Sequence, residues 1–472
     1  MTASATGLRR PGSIVLISCY ELGHQPLGIA GAAALLQERG FSPSLLDLSR
    51  QSLEPAAVQG AGLIAVCAPM HTALVLGIQA AQRIRPLVPD AHLCFFGLYA
   101  ALNRDLLLES AADSVIGGEG GDALVELAEA LERGESGVPG VSLPGRPSPP
   151  RLARPRNLKP AREGLPPLSE YARLEADGET RLVGYVASTV GCKHRCLHCP
   201  IPPVYGGRFF ALPRDAVLDD IRFLVASGAR HITFGDPDFL NGPGHALPIV
   251  RGLHREFPRV TYNFTAKIEH LLRHRDLLRE FAETGCLFIV SAVESLSGAV
   301  LANLEKGHTR ADVEAALELT RNAGIVLRPT FVPFTPWSTL EDYRELLEFV
   351  RREGLVRHVD PIQFAIRLLV PPGSALLGTP QFEPFQGDLD RAALSYRWIH
   401  PDPQMDALQG AVMGIVETAS SREWAPERTF VAIQEAAWTT SGTVGGAADP
   451  PPFTLPLVPG EPVPRLTEAW FC

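Results

Sequence analysis

The stretch Leu182–Cys199 reads LVGYVASTVGCKHRCLHC. Its first eight residues, Leu182–Thr189, have the apolar, β-branched and aromatic character of a buried strand, so the three cysteines that follow belong to the loop beyond it. Five runs of the same character lie downstream, at His231–Gly235, Val260–Lys267, Leu287–Val293, Val326–Phe334 and Ile362–Val370. Helix-forming segments fit between them, for example Arg214–Ala226, Arg275–Thr284, Arg310–Ala323 and Thr339–Gly354. Six strand–helix units at this spacing predict a partial (β/α) barrel, whose chemistry lies at the C-terminal ends of its strands. The cysteine loop then hangs over the barrel mouth.

Upstream, short apolar runs at Ser13–Cys19, Ser44–Leu48, Leu63–Met70, His92–Ala100 and Ser114–Gly117 alternate with helical patterns at Pro26–Arg39, His71–Arg83 and Asp122–Arg133. Continuous apolar strands separated by amphipathic helices predict a doubly wound parallel sheet, which binds ligands beyond the carboxyl ends of its strands. From Gly137 to Pro167 the composition turns to Pro, Gly and Arg, which suits neither a helix nor a central strand. The expected organisation is α/β throughout: a sheet domain over 1–136, a linker over 137–178 and a partial barrel over 179–380. A small helical C-terminal region follows over 381–441, with helices near Gln404–Thr418 and Phe430–Trp438, and then a Pro/Gly-rich tail over 442–472.

The 472 residues suggest two to four domains, and 46% hydrophobic against 20% charged residues excludes a disordered chain. A net charge of −9 argues against a broad nucleic-acid footprint. Arg9-Arg10 precede an apolar run that continues into Tyr20-Glu21 without a cleavage site, which reads as a strand and not a signal peptide. Pro55–Gln82 carries no charged residue, but Pro69, His71, Thr72 and Gln79 divide it into a strand and a helix; the expectation is a cytoplasmic protein with no membrane partner. Eight cysteines do not make a disulfide scaffold, and Cys19, Cys67, Cys94 and Cys286 read as small buried hydrophobes.

Cys192, Cys196 and Cys199 are different. Three thiols within eight residues suit one metal centre. A structural zinc site, with His194 or His198 as fourth ligand, is one reading, although zinc sites usually draw on two separated ligand pairs. The CxxxCxxC spacing after the first strand of a six-fold βα series also resembles the radical S-adenosylmethionine (SAM) superfamily. The resemblance implies that Cys192, Cys196 and Cys199 hold a [4Fe–4S] cluster whose fourth iron takes the amino and carboxylate groups of SAM. Reductive cleavage of SAM then yields methionine and a 5′-deoxyadenosyl radical, with a reductant such as flavodoxin or ferredoxin as partner.

By the same resemblance, His198 occupies an adenine-contacting position. Gly235, Asp236, Pro237 and Asp238 stand where a glycine-rich turn holds the SAM amino group. Glu294 and Ser295, followed by Lys306-Gly307-His308-Thr309, match a further pair of SAM-contacting motifs. The alternative for Ser295 or Ser297 is a cap on the next helix.

Period-two alternation places Thr261, Asn263, Thr265 and Lys267 on one strand face, Arg328, Thr330, Val332 and Phe334 on a second, and Gln363, Ala365, Arg367 and Leu369 on a third. The apolar faces must pack under helices, so these faces line a wet lumen. Lys267 and Arg367 are therefore candidate catalytic residues and Arg328 a candidate cofactor contact. Arg367 requires an anionic or carbonyl partner, from SAM, from substrate, or from an internal carboxylate such as Glu294.

The N-terminal half is similar to the cobalamin-binding domain placed ahead of the barrel in one large radical SAM class, through Pro26-Leu27-Gly28-Ile29-Ala30 and Gly117-Gly118-Glu119-Gly120. No Asp-x-His-x-x-Gly motif supplies a histidine for cobalt; His24 and His71 are the nearest candidates. The barrel further resembles radical SAM (seleno)proteins with a Cys/Sec-Ala-Glu-Pro tail, through His198-Cys199-Pro200-Ile201-Pro202-Pro203, Ile232–Asn241, Phe334-Thr335-Pro336-Trp337 and Arg367–Ser374. Under that resemblance Cys472 is the first member of a Cys-Sec pair; otherwise it is a free terminal thiol. The expected function is radical chemistry on a small metabolite or peptide, with cobalamin assistance an option. The alternatives are a tRNA-modifying methylthiotransferase and a non-enzymatic zinc-binding protein.

Overall fold

Strands of branched residues that are buried on both faces need cover on both sides, and the chain supplies it by winding helices alternately above and below. In the computed structural model, which describes residues 7–118, 120–135, 137–439 and 463–468, β1 (Ile14–Ser18), β2 (Ser44–Asp47), β3 (Leu63–Cys67), β4 (His92–Gly97) and β5 (Ser114–Gly117) form a parallel sheet in the order β2-β1-β3-β4-β5. Alternate residues feed two cores. Ile14, Leu16, Ala65 and Phe96 pack under the helices Leu27–Glu38 and Gly121–Glu132, while Val15, Ile17, Val66 and Phe95 pack under His71–Ile84. Glu119, Cys472 and most of the Gly442–Pro464 tail lie outside the described residues.

The stretch expected to be a plain linker does more than connect. β6 (Val141–Ser142) pairs antiparallel with β5, and Ala161 donates its N–H to Ala30 O and packs into the N-terminal core. β7 (Arg173–Ala176) then turns through Asp177 and Gly178, both at positive φ, into β8 (Glu179–Val186), a two-residue hairpin. Composition alone hides these pieces, because each is too short to show a period.

Beyond β8 come a short ribbon of β9 (Thr189–Gly191) and β10 (Phe209–Ala211), then β11 (His231–Phe234), β12 (Thr261–Thr265), β13 (Cys286–Glu294) and β14 (Val326–Phe331). A hairpin of β15 (Gln386–Asp390) and β16 (Ser395–Trp398) and a last strand, β17 (Arg465–Leu466), complete the set. The curled half-barrel sheet runs β14-β13-β12-β11-β8-β7-β17, parallel from β14 to β8 and antiparallel at the β7 and β17 edge.

Two expectations need correction. Ile362–Val370 is not a sixth strand: Pro361–Phe364 is a 3₁₀ turn, and only one bridge, Phe334 to Arg367, continues the sheet. The proline fixes its own φ and starts a turn where a strand would begin. The lumen is also not wet along its length. At its N-terminal end His231 Nε2 donates to Asn263 Oδ1 at 2.8 Å and Thr233 Oγ1 donates to the same oxygen, while Val183, Phe288 and Val290 pack with Leu174 and Leu466. Polar groups here are paired inside a closed floor, leaving the open space to the mouth.

Candidate functional site

The cysteine loop has a stem. Thr189–Gly191 pairs antiparallel with Phe209–Ala211, which draws residues 192–208 into a closed excursion above the barrel. Gly191 takes φ +77, and a Cβ there would sit 2.4 Å from Arg208 O. Only glycine suits both the backbone angle and the close approach.

Each cysteine is accompanied by a donor or a cation. Asn241 Nδ2 donates to Cys192 Sγ at 3.5 Å, and Lys267 Nζ lies 3.7 Å from Cys196 Sγ. Cys199 feels the positive charge of Lys306. Burial nevertheless pushes the Cys192 thiol up and the Cys199 thiol to about 12, so without a metal these groups hold their protons. A group that takes up thiolate charge, as iron does, fits this set. A single ion fits it less well. Among the described residues the three sulfurs do not converge within 4.8 Å, whereas His194, Asp238 and His270 do. Thiolates on separate irons of a cluster stand further apart than ligands of one zinc.

Glu294 ends β13 at a register shift, with φ +66, and its side chain is buried against the loop. His198 Nε2 donates to Glu294 Oε1 at 3.1 Å and Lys306 Nζ to the same oxygen at 3.2 Å. Burial raises the Glu294 pKa, but the Lys306 charge and the His198 hydrogen bond outweigh it and hold the carboxyl at about 2. Glu294 is therefore ionised and anchors His198, whose Nδ1 is buried without a hydrogen-bond partner. Ser295 Oγ accepts from Ser297 N at 3.1 Å, the turn that leads into the helix Gly298–Asn303.

At the end of β11, Gly235 packs on Tyr185, whose Oη would be 2.1 Å from an added Cβ. The buried carboxylate of Asp236 accepts from Ser188 N, Ser188 Oγ and Thr189 Oγ1, so its side chain ties β11 to the cysteine-loop stem and only the backbone of the turn is left for SAM. Pro237 lines the cavity described below. Asp238 Oδ1 accepts from Leu240 N at 2.9 Å, while its Oδ2 faces His194 and His270. Lys267 Nζ is 3.2 Å from His194 Nδ1 and 3.7 Å from Glu269 Oε2.

Two arginines are engaged elsewhere. Arg328 donates to Asp360 Oδ1 at 2.8 Å and to Pro464 O at 3.3 Å, which fixes it near the β17 edge and the barrel floor. Arg367 pairs with Asp406 at 2.5 Å, donates to Trp398 O at 2.7 Å and lies 3.6 Å from the centre of the Trp398 ring. It satisfies the requirement for an anionic partner internally, through a carboxylate other than Glu294. Both readings relied on strand alternation, which does not reach these distant aspartates.

Asn241, Lys306 and His270 join the site without having been singled out as site residues. Asn241 and Lys306 lie inside quoted motifs, but only their contacts with the loop assign them a task.

A cavity of about 350 Å³ separates the carboxyl ends of the N-terminal strands from the barrel mouth. Gly28, Gly31, Gly97 and Gly117 line one side, and Thr189, Gly191, Gly235 and Pro237 the other, with Arg151–Arg156 as part of the wall. His24 is buried and stacked on Tyr185 at 4.4 Å, and His71 Nε2 donates to Ala393 O at 2.9 Å. Among the described residues no helix is long and apolar enough to cross a membrane.

Residues 186–350 match the model of the radical SAM superfamily, a family of enzymes that uses a [4Fe–4S] cluster and SAM. The ribosomal protein uS12 methylthiotransferase RimO of Bacteroides fragilis is 26% identical over 186 residues, 36% of this chain and 41% of that protein. The hopanoid C-3 methylase of Methylococcus capsulatus is 25% identical over 342 residues, 70% of this chain and 64% of that protein. The chain thus spans about two-fifths of the methylthiotransferase and just under two-thirds of the methylase.

Among solved structures, the cobalamin-dependent radical SAM enzyme OxsB, with aqua-cobalamin and SAM bound, superposes with a TM-score of 0.70 at 15% identity, over 90% of this chain and 71% of that one. The radical SAM methyltransferase TsrM from Kitasatospora setae, with cobalamin and a [4Fe–4S] cluster bound, gives a TM-score of 0.57 at 20% identity, over 72% of this chain and 70% of that one. At these identities the likeness is one of fold.

Proposed function

We propose that this chain is a cytoplasmic radical SAM enzyme that modifies a small molecule or peptide, with cobalamin held between its two domains. The observation that carries the reading is the loop at the half-barrel mouth, where three thiols each have a donor or cation beside them and Glu294 and His198 flank the third. Cys192, Cys196 and Cys199 would hold the cluster, which supplies the electron that cleaves SAM. Lys267 and Lys306 offset thiolate charge, and Glu294 orients the His198 ring. Electrons would come from a flavodoxin- or ferredoxin-type donor.

Cobalamin is assigned to the interdomain cavity because that space lies between the carboxyl ends of the N-terminal strands and the cysteine-loop stem, where ligands of doubly wound sheets bind, and because at Gly31 the wall is open, with nothing within 4 Å of an added Cβ. It would supply a methyl carrier there. Neither His24 nor His71 is free to reach cobalt, so binding would not use a protein imidazole. The methylthiotransferase alternative is supported by the RimO identity, but a second cluster needs more clustered thiols. Cys19, Cys67, Cys94 and Cys286 are instead buried singly in separate segments. The narrower kinship with the Cys/Sec-Ala-Glu-Pro-tail group rests on the motifs quoted above, and the coding sequence after the Cys472 codon tests it.

The deciding experiment is anaerobic reconstitution. The wild-type chain is expected to bind about four irons and four sulfides, following the [4Fe–4S] composition, and to form 5′-deoxyadenosine from SAM under reducing conditions. The triple Cys192→Ala, Cys196→Ala, Cys199→Ala variant is expected to do neither while staying soluble. Nucleoside formation by that variant would overturn the assignment. Hydroxocobalamin added before desalting should leave corrin bands in the visible spectrum; their absence would remove cobalamin from the proposal.

A further inference from the structure

Beside the cysteine triad stands a second group of ligand-type side chains. His194 comes from the cysteine loop, Asp238 from the segment after β11, and His270 from the helix Ile268–Arg273 after β12. One nitrogen of each histidine and one Asp238 oxygen lie within 4.8 Å of one another. His270 and Asp238 are almost wholly buried, and His194 is largely so.

The three groups satisfy one another only in part. His270 Nδ1 is 2.8 Å and His194 Nε2 3.5 Å from Asp238 Oδ2, so both rings face its charge, but neither meets that oxygen with the direction of a full hydrogen bond. Two buried imidazole nitrogens without a well-directed partner are a cost that a fold does not ordinarily tolerate. The carboxylate is meanwhile fixed from behind, since its other oxygen accepts from Leu240 N. Groups that crowd together without full hydrogen bonds to each other are placed to aim at a common point.

We propose that His194, Asp238 and His270 bind one divalent transition-metal ion of the zinc or ferrous type, separate from the cluster, and that this ion pins the cysteine loop to the barrel mouth. Two imidazoles and one carboxylate are a donor set that such ions accept, with open positions for water. The surroundings allow it. Glu269 Oε2 is 3.8 Å from His194 Nδ1, so after a small approach it can accept a hydrogen bond from an Nδ1–H and leave the Nε2 lone pair facing inward, the usual outer partner of a metal-bound histidine. Lys267 then shifts from His194 to the Cys196 sulfur, already 3.7 Å away. Asp238 and Glu269 supply the negative charge that a dication needs.

The inference rests on the proposed function only for what the pinned loop carries; the binding itself is tested without a cluster. The triple Cys→Ala variant is titrated with Co²⁺ alone under anaerobic conditions. One ion should bind, with visible d–d absorption and no thiolate charge-transfer band. Adding His270→Ala or Asp238→Asn should weaken binding by at least about tenfold. No Co²⁺ bound, or binding unchanged by both substitutions, overturns the proposal. Should the triple variant fail to fold, the reconstituted wild-type chain is dialysed against zinc and its total metal measured. About one zinc beside the iron, lost in His270→Ala, is expected; zinc below about a tenth per chain overturns it. An absent cluster in wild type would sink the proposed function and leave the Co²⁺ result standing.

Discussion

Glu294 combines a left-handed backbone, a bulged register and a buried ion pair in one residue. A non-glycine residue at positive φ costs roughly 1 kcal/mol or more, which persists only where surrounding contacts fix it. Here those contacts are Lys306 and His198. Replacing Glu294 by Gln leaves the Lys306 ammonium buried and unpaired, so a loss of roughly 3–5 kcal/mol is expected from urea denaturation. The double variant Glu294→Gln, Lys306→Met should recover most of it; no recovery would mean that the pair is not what Glu294 stabilises. The pH dependence has a definite sign. The folded pKa of about 2 lies below the ordinary 4.5, so the stabilisation is complete above about 4.5 and is lost as pH falls toward 2. Neutral pH leaves it untouched. Glu294 and His198 were legible in the sequence because they sit in short motifs at fixed offsets. Their mutual contact was not, because it joins residues 96 positions apart.

The ribbon of β9 and β10 is the smallest element with a functional task, since it closes the loop that carries the cysteines. Gly191→Ala would place a methyl group 2.4 Å from Arg208 O at φ +77. The stem must open to relieve it. Iron bound after reconstitution should fall well below half of the wild-type value while far-UV circular dichroism stays the same; full iron content in the variant would separate the stem from cluster assembly. The main strands were legible because apolar runs of five or six residues bounded by turns have few other readings. Failures cluster where pairing is brief. Val141–Ser142 and Arg465–Leu466 carry two residues each, and the supposed sixth strand begins at a proline. The partners of Arg328 and Arg367 were hidden for a different reason: alternation fixes which face a residue takes, not which distant aspartate meets it.

Across the whole molecule, the halves are joined by an apolar cluster of Leu102 with Val204 and Tyr205, and by two further devices among the described residues. The β15–β16 hairpin sends Leu394 into the core of the N-terminal sheet, beside an ion pair of Arg391 with Glu109. Leu394→Asp should uncouple the halves, so that a single thermal transition becomes two and proteolysis between the domains accelerates. One unchanged transition would show that the hairpin is not the coupling. The second device is the chain between the domains. Arg162 is fully buried, paired with Asp220 at 2.7 Å and bonded to Gln25 Oε1 and Tyr185 O. Upstream of it, Arg151–Arg156 forms cavity wall and Ala161 belongs to the N-terminal core. This settles where such a protein can be recombined. A chimera cut at residue 137, where composition changes, would take the partner's wall into a foreign chamber and strand β6 away from its sheet. Crossing over after Pro166 keeps wall, strand and core together; the side-chain pairs it splits include Arg162 with Asp220, Tyr171 with Asp47, and Arg391 with Glu109. Any exchange of the N-terminal half must therefore supply both an arginine at its end and an aspartate in the recipient barrel.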